Sequence, residues 1–328
     1  MRRMHTAQLL ISFFATLAVA ACIAVVGVGQ VAAAPHPRTS LPIESTYRAP
    51  GPWKVTARTG FSCCDAGGGK LDVFYPTNLG ARGVRHPIIT WGNGTLADTS
   101  KYSYLLRHLA SWGFVVIATQ NEFTNSGADI RAAASYLVKQ NSTPGSRFYQ
   151  KLDTSDIAAV GHSQGASGAL NAMMDSNGAI KTAIPIEMPA QRSCSPGTCT
   201  DPGRLRSGSV FYVNGSADGF ISPSFEPNPW SGGGLQSLSA FYQATPDSVA
   251  KVWATLNGAD HNDIQGKPTC WQASWPCAHG VTGYLGYLTA WLMAQLRDDA
   301  RAQSVFVRDS GELFHHPGWS NQSSNITA

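Results

Sequence analysis

The 328-residue sequence predicts an α/β fold, a largely parallel central sheet with helices on both faces. Three observations predict it. Short apolar runs alternate with segments of helical spacing from Leu71 to Leu296. Two of those runs, Phe114-Val115-Val116-Ile117-Ala118 and Ile157-Ala158-Ala159-Val160, are apolar throughout, the pattern of a strand covered on both faces. The composition, 43% hydrophobic against 13% charged, allows a large core and excludes intrinsic disorder.

The elements follow in order. Leu71-Asp72-Val73-Phe74-Tyr75 reads as a strand ended by Pro76. Ile88 to Trp91 is a short apolar run entering the tight loop Gly92-Asn93-Gly94. A helix comes next, capped by Asp98, Thr99 or Ser100. It carries Tyr102, Leu105, Leu106 and Leu109 at helical spacing and ends at Gly113. After the strand at 114–118, Ala128 to Val138 is helical, Ile157 to Val160 a strand, and Ala166 to Met174 helical again. Ala183–Ile186, Val210–Val213 and Lys251–Leu256 are further strands, and Tyr284–Leu296 is a last amphipathic helix.

The termini read differently. Arg2 and Arg3 precede a long apolar run and then Val31-Ala32-Ala33-Ala34, so residues 1–33 are expected to be a secretory signal peptide cut after Ala33. The run is long for a signal, which makes an uncleaved membrane anchor the alternative. Val19-Ala20-Ala21-Cys22 resembles a lipidation box, but the apolar residues after Cys22 argue against it. Residues 34–50 read as a linker or extended arm, 51–310 as the α/β domain, and 311–328 as a polar tail.

Seven cysteines occur, and six remain once the leader is removed, an even number that in an exported protein predicts disulfides. Cys194–Cys199 and Cys270–Cys277 would be short local loops. Cys63 and Cys64 would then form a vicinal bond or stay as two thiols. The spacings do not make a zinc site. The formal net charge is +4 with no basic cluster, so the sequence predicts no nucleic-acid partner.

Gly161-His162-Ser163-Gln164-Gly165 matches G-x-S-x-G between a buried strand and a helix of small residues. That strand–turn–helix setting is what a nucleophile elbow requires, and it makes Ser163 the candidate nucleophile. A serine hydroxyl needs a base, and the elbow order puts an acid and then a histidine downstream. Asp218 follows the strand 210–213 and His261 follows the strand 251–256, both at the sheet edge that carries Ser163. Ser163 would attack, His261 would move the proton, and Asp218 would orient the imidazole. Asp201 and Asp247 are weaker substitutes for Asp218, and His279 is the other downstream histidine before the tail. His162, flanking the nucleophile on the turn, is expected to pack or hydrogen-bond. Oxyanion donors are expected at the N–H of Gln164 and, after the 88–91 strand, at Asn93 or Gly94.

With those residues in place, the chain resembles the secreted polyester-hydrolase and cutinase-like branch of the α/β-hydrolases, including bacterial poly(ethylene terephthalate) hydrolases. The resemblance spans about residues 55–305. Its separated stretches are LASWGFVVIAT, GHSQGASGAL, AIPIEMP, VNGSADGFISP and AFYQATPDSVAKVWATLNGADH. It implies an α/β-hydrolase fold with Ser163, Asp218 and His261 as triad, and it puts Asn93 and Gln164 at the oxyanion positions. The family usually carries an aromatic residue where this chain has Asn93, Met where it has Gln164, and Trp near Met188-Pro189-Ala190. Those aromatics line the groove that grips a polymer, so the resemblance implies ester hydrolysis without specifying an aromatic polyester. The family's C-terminal disulfide commonly uses a tail cysteine. This tail has none, which leaves Cys270 and Cys277 to each other. The Cys194/Cys199 insertion and the loop Ser222–Gly234 with Trp230 are placed to reshape the groove.

The expectation is a secreted serine esterase that forms an acyl-enzyme at Ser163, with no metal and no organic cofactor. It would act as a monomer on a small or polymeric ester, without a stable membrane partner unless the leader stays attached. A lipase or acyltransferase on the same triad is the alternative within the class. A non-catalytic binding protein that kept the fold is the alternative outside it.

Overall fold

A computed structural model describes residues 42–62, 66–194, 199–226 and 233–328. The leader, Cys63, Cys64 and Trp230 lie outside them. In chain order the strands are β1 (Val55–Ser62), β2 (Lys70–Pro76), β3 (His86–Gly92), β4 (Val115–Thr119), β5 (Leu152–His162), β6 (Thr182–Ile186), β7 (Ser209–Gly215), β8 (Ala250–Leu256) and β9 (Trp319–Ser324). The helices are α1 (Pro42–Arg48), α2 (Ser103–Ser111), α3 (Ala128–Ser142), α4 (Gln164–Met174), α5 (Leu238–Ala244), α6 (Thr282–Leu296), α7 (Ala300–Ser304) and α8 (Glu312–His315).

The strands form one sheet in the order β1-β2-β4-β3-β5-β6-β7-β8-β9. From β4 to β8 every neighbouring pair is parallel. Antiparallel strands flank that block, β1 and β2 on one side and β9 on the other. Successive residues of a strand face opposite sides, so each run feeds two cores. Ile89, Trp91, Val160 and Val213 pack with α1, α2 and α6, while Ile88, Ala159, Val210 and Tyr212 pack with α3, α4 and α5. That double burial explains why the central strands read as unbroken apolar runs. The strand order reverses at β3, between β4 on one side and β5 on the other. A crevice opens at such a switch point, at the C-terminal ends of the parallel strands.

Two stretches depart from the expected organisation. Residues 42–48 of the predicted arm are helical, because Glu312 accepts the N–H groups of Ile43 and Glu44 at 2.9 and 2.7 Å. The cap comes from residues that are remote in sequence, so no local signal announces it. The polar tail from Gly311 forms α8 and then β9, which pairs with the open edge of β8. Its Trp-Ser-Asn-Gln-Ser-Ser run lacks apolar alternation because only its ends, Trp319 and Ser324, are buried. Disulfides join Cys194 to Cys199 and Cys270 to Cys277, with Cα atoms 5.2 and 5.9 Å apart. Among the described residues no helix is long and apolar enough to cross a membrane.

Candidate active site

β5 delivers the chain into the Gly161–Gly165 turn and α4 carries it away. At the turn Ser163 adopts φ 56° and ψ −128°. A non-glycine residue at positive φ costs on the order of 1–3 kcal/mol, so the surroundings must hold it there. Ser163 N–H donates to Ile186 O at 2.9 Å, and Ala166 N–H donates to Ser163 O at 2.8 Å. The flanking glycines are demanded by close approach. A Cβ on Gly161 would stand 2.0 Å from Gly165 O, and one on Gly165 2.4 Å from the carbonyl oxygens of Gly92 and Asn93. The start of α4 therefore lies directly against the end of β3.

The structure brings the three widely separated residues together. His261 Nε2 lies 3.0 Å from Ser163 Oγ, and His261 Nδ1 lies 2.6 Å from Asp218 Oδ2. All three side chains are buried. Asp218 Oδ1 accepts the N–H of Ile221 at 3.0 Å, so both carboxylate oxygens are engaged. Burial alone would raise the Asp218 carboxyl. The hydrogen bond and charge of His261, with the Ile221 N–H, outweigh that and hold it below the usual carboxylate range. Such a chain lets an imidazole accept a proton from a hydroxyl while a fixed anion stabilises the imidazolium.

His162 is fully engaged elsewhere. Its Nε2 lies 2.8 Å from the carbonyl oxygen of His261, which can only accept, so Nε2 carries the proton. Its Nδ1 then accepts from Tyr102 OH at 2.9 Å, and Tyr102 OH accepts from Gly94 N–H at 3.0 Å. Burial, and next the neighbouring charge of His261, push the His162 imidazole well below its usual value and keep it neutral. Asp201 caps a short turn through Gly203 N–H, and Asp247 pairs with Lys251 at 2.9 Å. His279 N–H and Ala278 N–H bind Asp263, which pins the end of the 270–277 disulfide loop.

The oxyanion positions need one correction. Asn93 is fully buried and does not line the cleft beside Ser163. Its Oδ1 accepts from Trp91 Nε1 at 3.0 Å, and its Nδ2 donates to Thr119 O and Asn121 O at 2.7 and 2.9 Å. The residues that reach the cleft are Gly94, Thr95 and Leu96. Gly94 N–H already serves Tyr102, so Thr95 N–H is the candidate donor from this loop. Gln164 also lines the cleft, as the first residue of α4, where N–H groups have no intrahelical acceptor. Its side chain points into the protein: Nε2 donates to Asn93 O and Glu122 O, and Oε1 accepts from Thr124 N–H.

The cleft encloses about 480 Å³. Leu96, Ile221 and Trp275 give it apolar walls, and Ser163 and His261 lie at its base. Trp275 is 90% exposed and sits on the Cys270–Cys277 loop. Sequence reasoning passed over Thr95, Trp275 and Glu187. Glu187 had a legible signal, a lone acid closing an apolar parallel strand at the edge that carries Ser163. Trp275 had none, since its approach depends on the loop fold. Asp263 with Cys270 and Cys277 is the cluster nearest a metal set outside the cleft, but both sulfurs are in the disulfide.

A sequence profile of a family described as PET hydrolase-like matches residues 30–198. Among curated relatives, a cutinase, est1 of Thermobifida alba, is 27% identical over 236 residues, 70% of this chain and 71% of that protein. Cutinase est2 of the same organism is 28% identical over 238 residues, 70% of each chain. A bis(hydroxyethyl) terephthalate hydrolase of Streptomyces coelicolor is 26% identical over 238 residues, 71% of this chain and 68% of that protein.

Proposed function

From the premise that this chain belongs to the PET hydrolase-like family of α/β-hydrolases, we propose that it is an exported serine esterase acting on carboxylic esters. The observation that carries the reading is the unbroken hydrogen-bonded series Ser163–His261–Asp218 at the base of an apolar-walled cleft. The named activities of the relatives, cutinase and bis(hydroxyethyl) terephthalate hydrolase, support an ester as substrate. The signal-like leader and the two disulfides support export.

Ser163 Oγ attacks the acyl carbon as His261 Nε2 takes its proton, and Asp218 steadies the imidazolium. The carbonyl oxygen becomes an oxyanion facing the N–H groups of Gln164 and Thr95. Collapse breaks the ester C–O bond, and His261 returns the proton to the leaving alkoxide. The acyl group stays on Ser163. Water, deprotonated by His261, then attacks the acyl carbon, and the second collapse releases the carboxylic acid and restores Ser163. Leu96, Ile221 and Trp275 favour an ester with an apolar acyl or alcohol part, in a monomer that needs no partner chain at the cleft.

The test is labelling of the secreted protein by a fluorophosphonate probe, beside Ser163→Ala, with p-nitrophenyl ester turnover in parallel. Labelling and turnover that vanish in the variant are expected. A folded wild type that neither labels nor turns over any ester overturns the reading and leaves a binding protein on the same fold.

A further inference from the structure

A second carboxyl group is buried behind the candidate triad, outside the lining of the cleft. Glu187 directly follows β6, between the Ser163 turn and the Asp218 loop, and its side chain is completely buried. Its Oε1 accepts from Tyr284 OH at 2.5 Å. Its Oε2 is buried and makes no hydrogen bond among the described residues, and the Gly215 N–H, the one backbone donor that acts on the carboxyl, is outweighed by burial and the charge of Asp218. Glu187, Asp218 and His261 each bring a ligand atom within 4.8 Å of the others.

The Asp218 oxygens accept from His261 and Ile221, two donors that favour its ionised form. Two ionised carboxylates at this range in a buried site would repel strongly, and a bare Oε2 would carry a full desolvation penalty. One proton on Glu187 Oε2 removes both problems. We propose that Glu187 is a neutral carboxylic acid whose proton is hydrogen-bonded to Asp218, a positioning residue that extends the series to Ser163–His261–Asp218–Glu187–Tyr284. The proposal rests on the reading of Asp218 as the partner of His261 in ester hydrolysis.

The surroundings agree. Burial first, and then the charge of Asp218, push the Glu187 carboxyl well above its usual value, while Asp218 lies below its own. The titratable groups facing Glu187 are Asp218 from the β7 loop, His261 from the β8 loop and Tyr284 from α6. Asp263 acts on Tyr284, and His162 packs against the His261 ring with centroids 4.8 Å apart. Of these only Asp218 faces the Glu187 proton, as its hydrogen-bond acceptor: Tyr284 donates to Oε1, and His261 is turned to Asp218 and Ser163.

Infrared difference spectroscopy of the full mature chain tests the proton directly. At about pH 7.5 ordinary carboxyl groups are ionised, so the wild type should show a protonated-carboxyl band that Glu187→Gln lacks. Absence of any such band in the folded wild type overturns the proposal without a variant. Tyr284→Phe, which frees Oε1, should move the same band to higher frequency, and an unmoved band assigns it to another group. Kinetics test the positioning role. Glu187→Gln still donates to Asp218 and should keep kcat within about threefold, with the acid limb of kcat/KM unmoved. Glu187→Leu removes the donor and should lower kcat about tenfold or more with KM little changed. A Gln variant whose acid limb falls by about half a pH unit or more means an ionised Glu187 and overturns the proposal. So do Gln and Leu variants with equal kcat and equal profiles. A wild type inactive on every ester would sink the esterase reading instead, and the infrared band would still report on Glu187.

Discussion

His162 Nε2 donates to the main-chain carbonyl of His261 at 2.8 Å, so the residue before the candidate nucleophile holds the candidate base in place. The Nδ1 of the same ring accepts a hydrogen bond from the Tyr102 hydroxyl, which also accepts from Gly94 N–H. One phenol thus links the turn at Ser163, the loop of His261 and the loop that presents Thr95.

Tyr102→Phe should therefore act on all three at once. It leaves Gly94 N–H and His162 Nδ1 buried without partners, at about 1–3 kcal/mol of stability. A fall in kcat larger than the rise in KM is expected, read from ester kinetics beside thermal melting. Unchanged kcat in a folded variant would remove Tyr102 from the positioning of His261.

Asp218→Asn keeps the size of the side chain but removes the negative charge and disturbs the His261 tautomer. A loss of about four orders of magnitude in kcat is expected, with the fold intact by circular dichroism. A loss under about tenfold would remove Asp218 from the role of the orienting acid.

Asn93 and Thr95 should separate cleanly. Asn93→Ala orphans Trp91 Nε1 and two carbonyl oxygens, so a loss of about 3 kcal/mol in unfolding free energy is expected. The folded fraction should retain its kcat. Thr95→Ala should leave kcat within about twofold, because the donor is main-chain N–H. A large kcat loss in Asn93→Ala without destabilisation would return Asn93 to the oxyanion site.

Trp275 stands over the cleft on a loop closed by Cys270–Cys277 and tied to Asn262, the neighbour of His261. Trp275→Ala should raise KM about tenfold for bulky aryl esters and leave kcat for a small acetate ester unchanged. Replacing both cysteines by serine should raise KM in the same direction and also lower stability by about 2 kcal/mol. Equal KM values for wild type and Trp275→Ala on every ester would take this residue out of substrate binding.

His108 predicts an acid limit to stability. Burial drops its imidazole from 6.5 to about 4, and its Nε2 lies 3.0 Å from Tyr47 O. The unfolded chain therefore binds the proton first as pH falls. This stabilisation is whole above 6.5 and is lost progressively between 6.5 and about 4. Its full size is on the order of 3 kcal/mol. Unfolding titrations from pH 8 downward should flatten in His108→Gln over that window. An identical slope in wild type and variant would locate the acid sensitivity elsewhere.

The sheet was legible where burial is symmetric. Ile88–Trp91, Phe114–Ala118 and Ile157–Val160 are apolar because both faces are covered, and that pattern is local. Ser163, Asp218 and His261 were legible as well, since each follows a readable parallel strand and topology alone puts those ends on one edge. What stayed hidden depends on partners remote in sequence. α1 exists because Glu312 caps it, and β9 because β8 offers an open edge.

The α/β architecture and the three residues that meet at the sheet edge are written in the chain. These follow from hydrophobic period and strand order, which are properties of the chain read locally. That Asn93 is a buried brace while Thr95 reaches the cleft follows from packing, because a two-residue step along a loop reverses which side chain meets solvent. Packing also decides that Glu187 lies against Asp218. The environment of a carboxyl group, and with it the proton it holds, is set by what surrounds it in space and not by its neighbours in the chain.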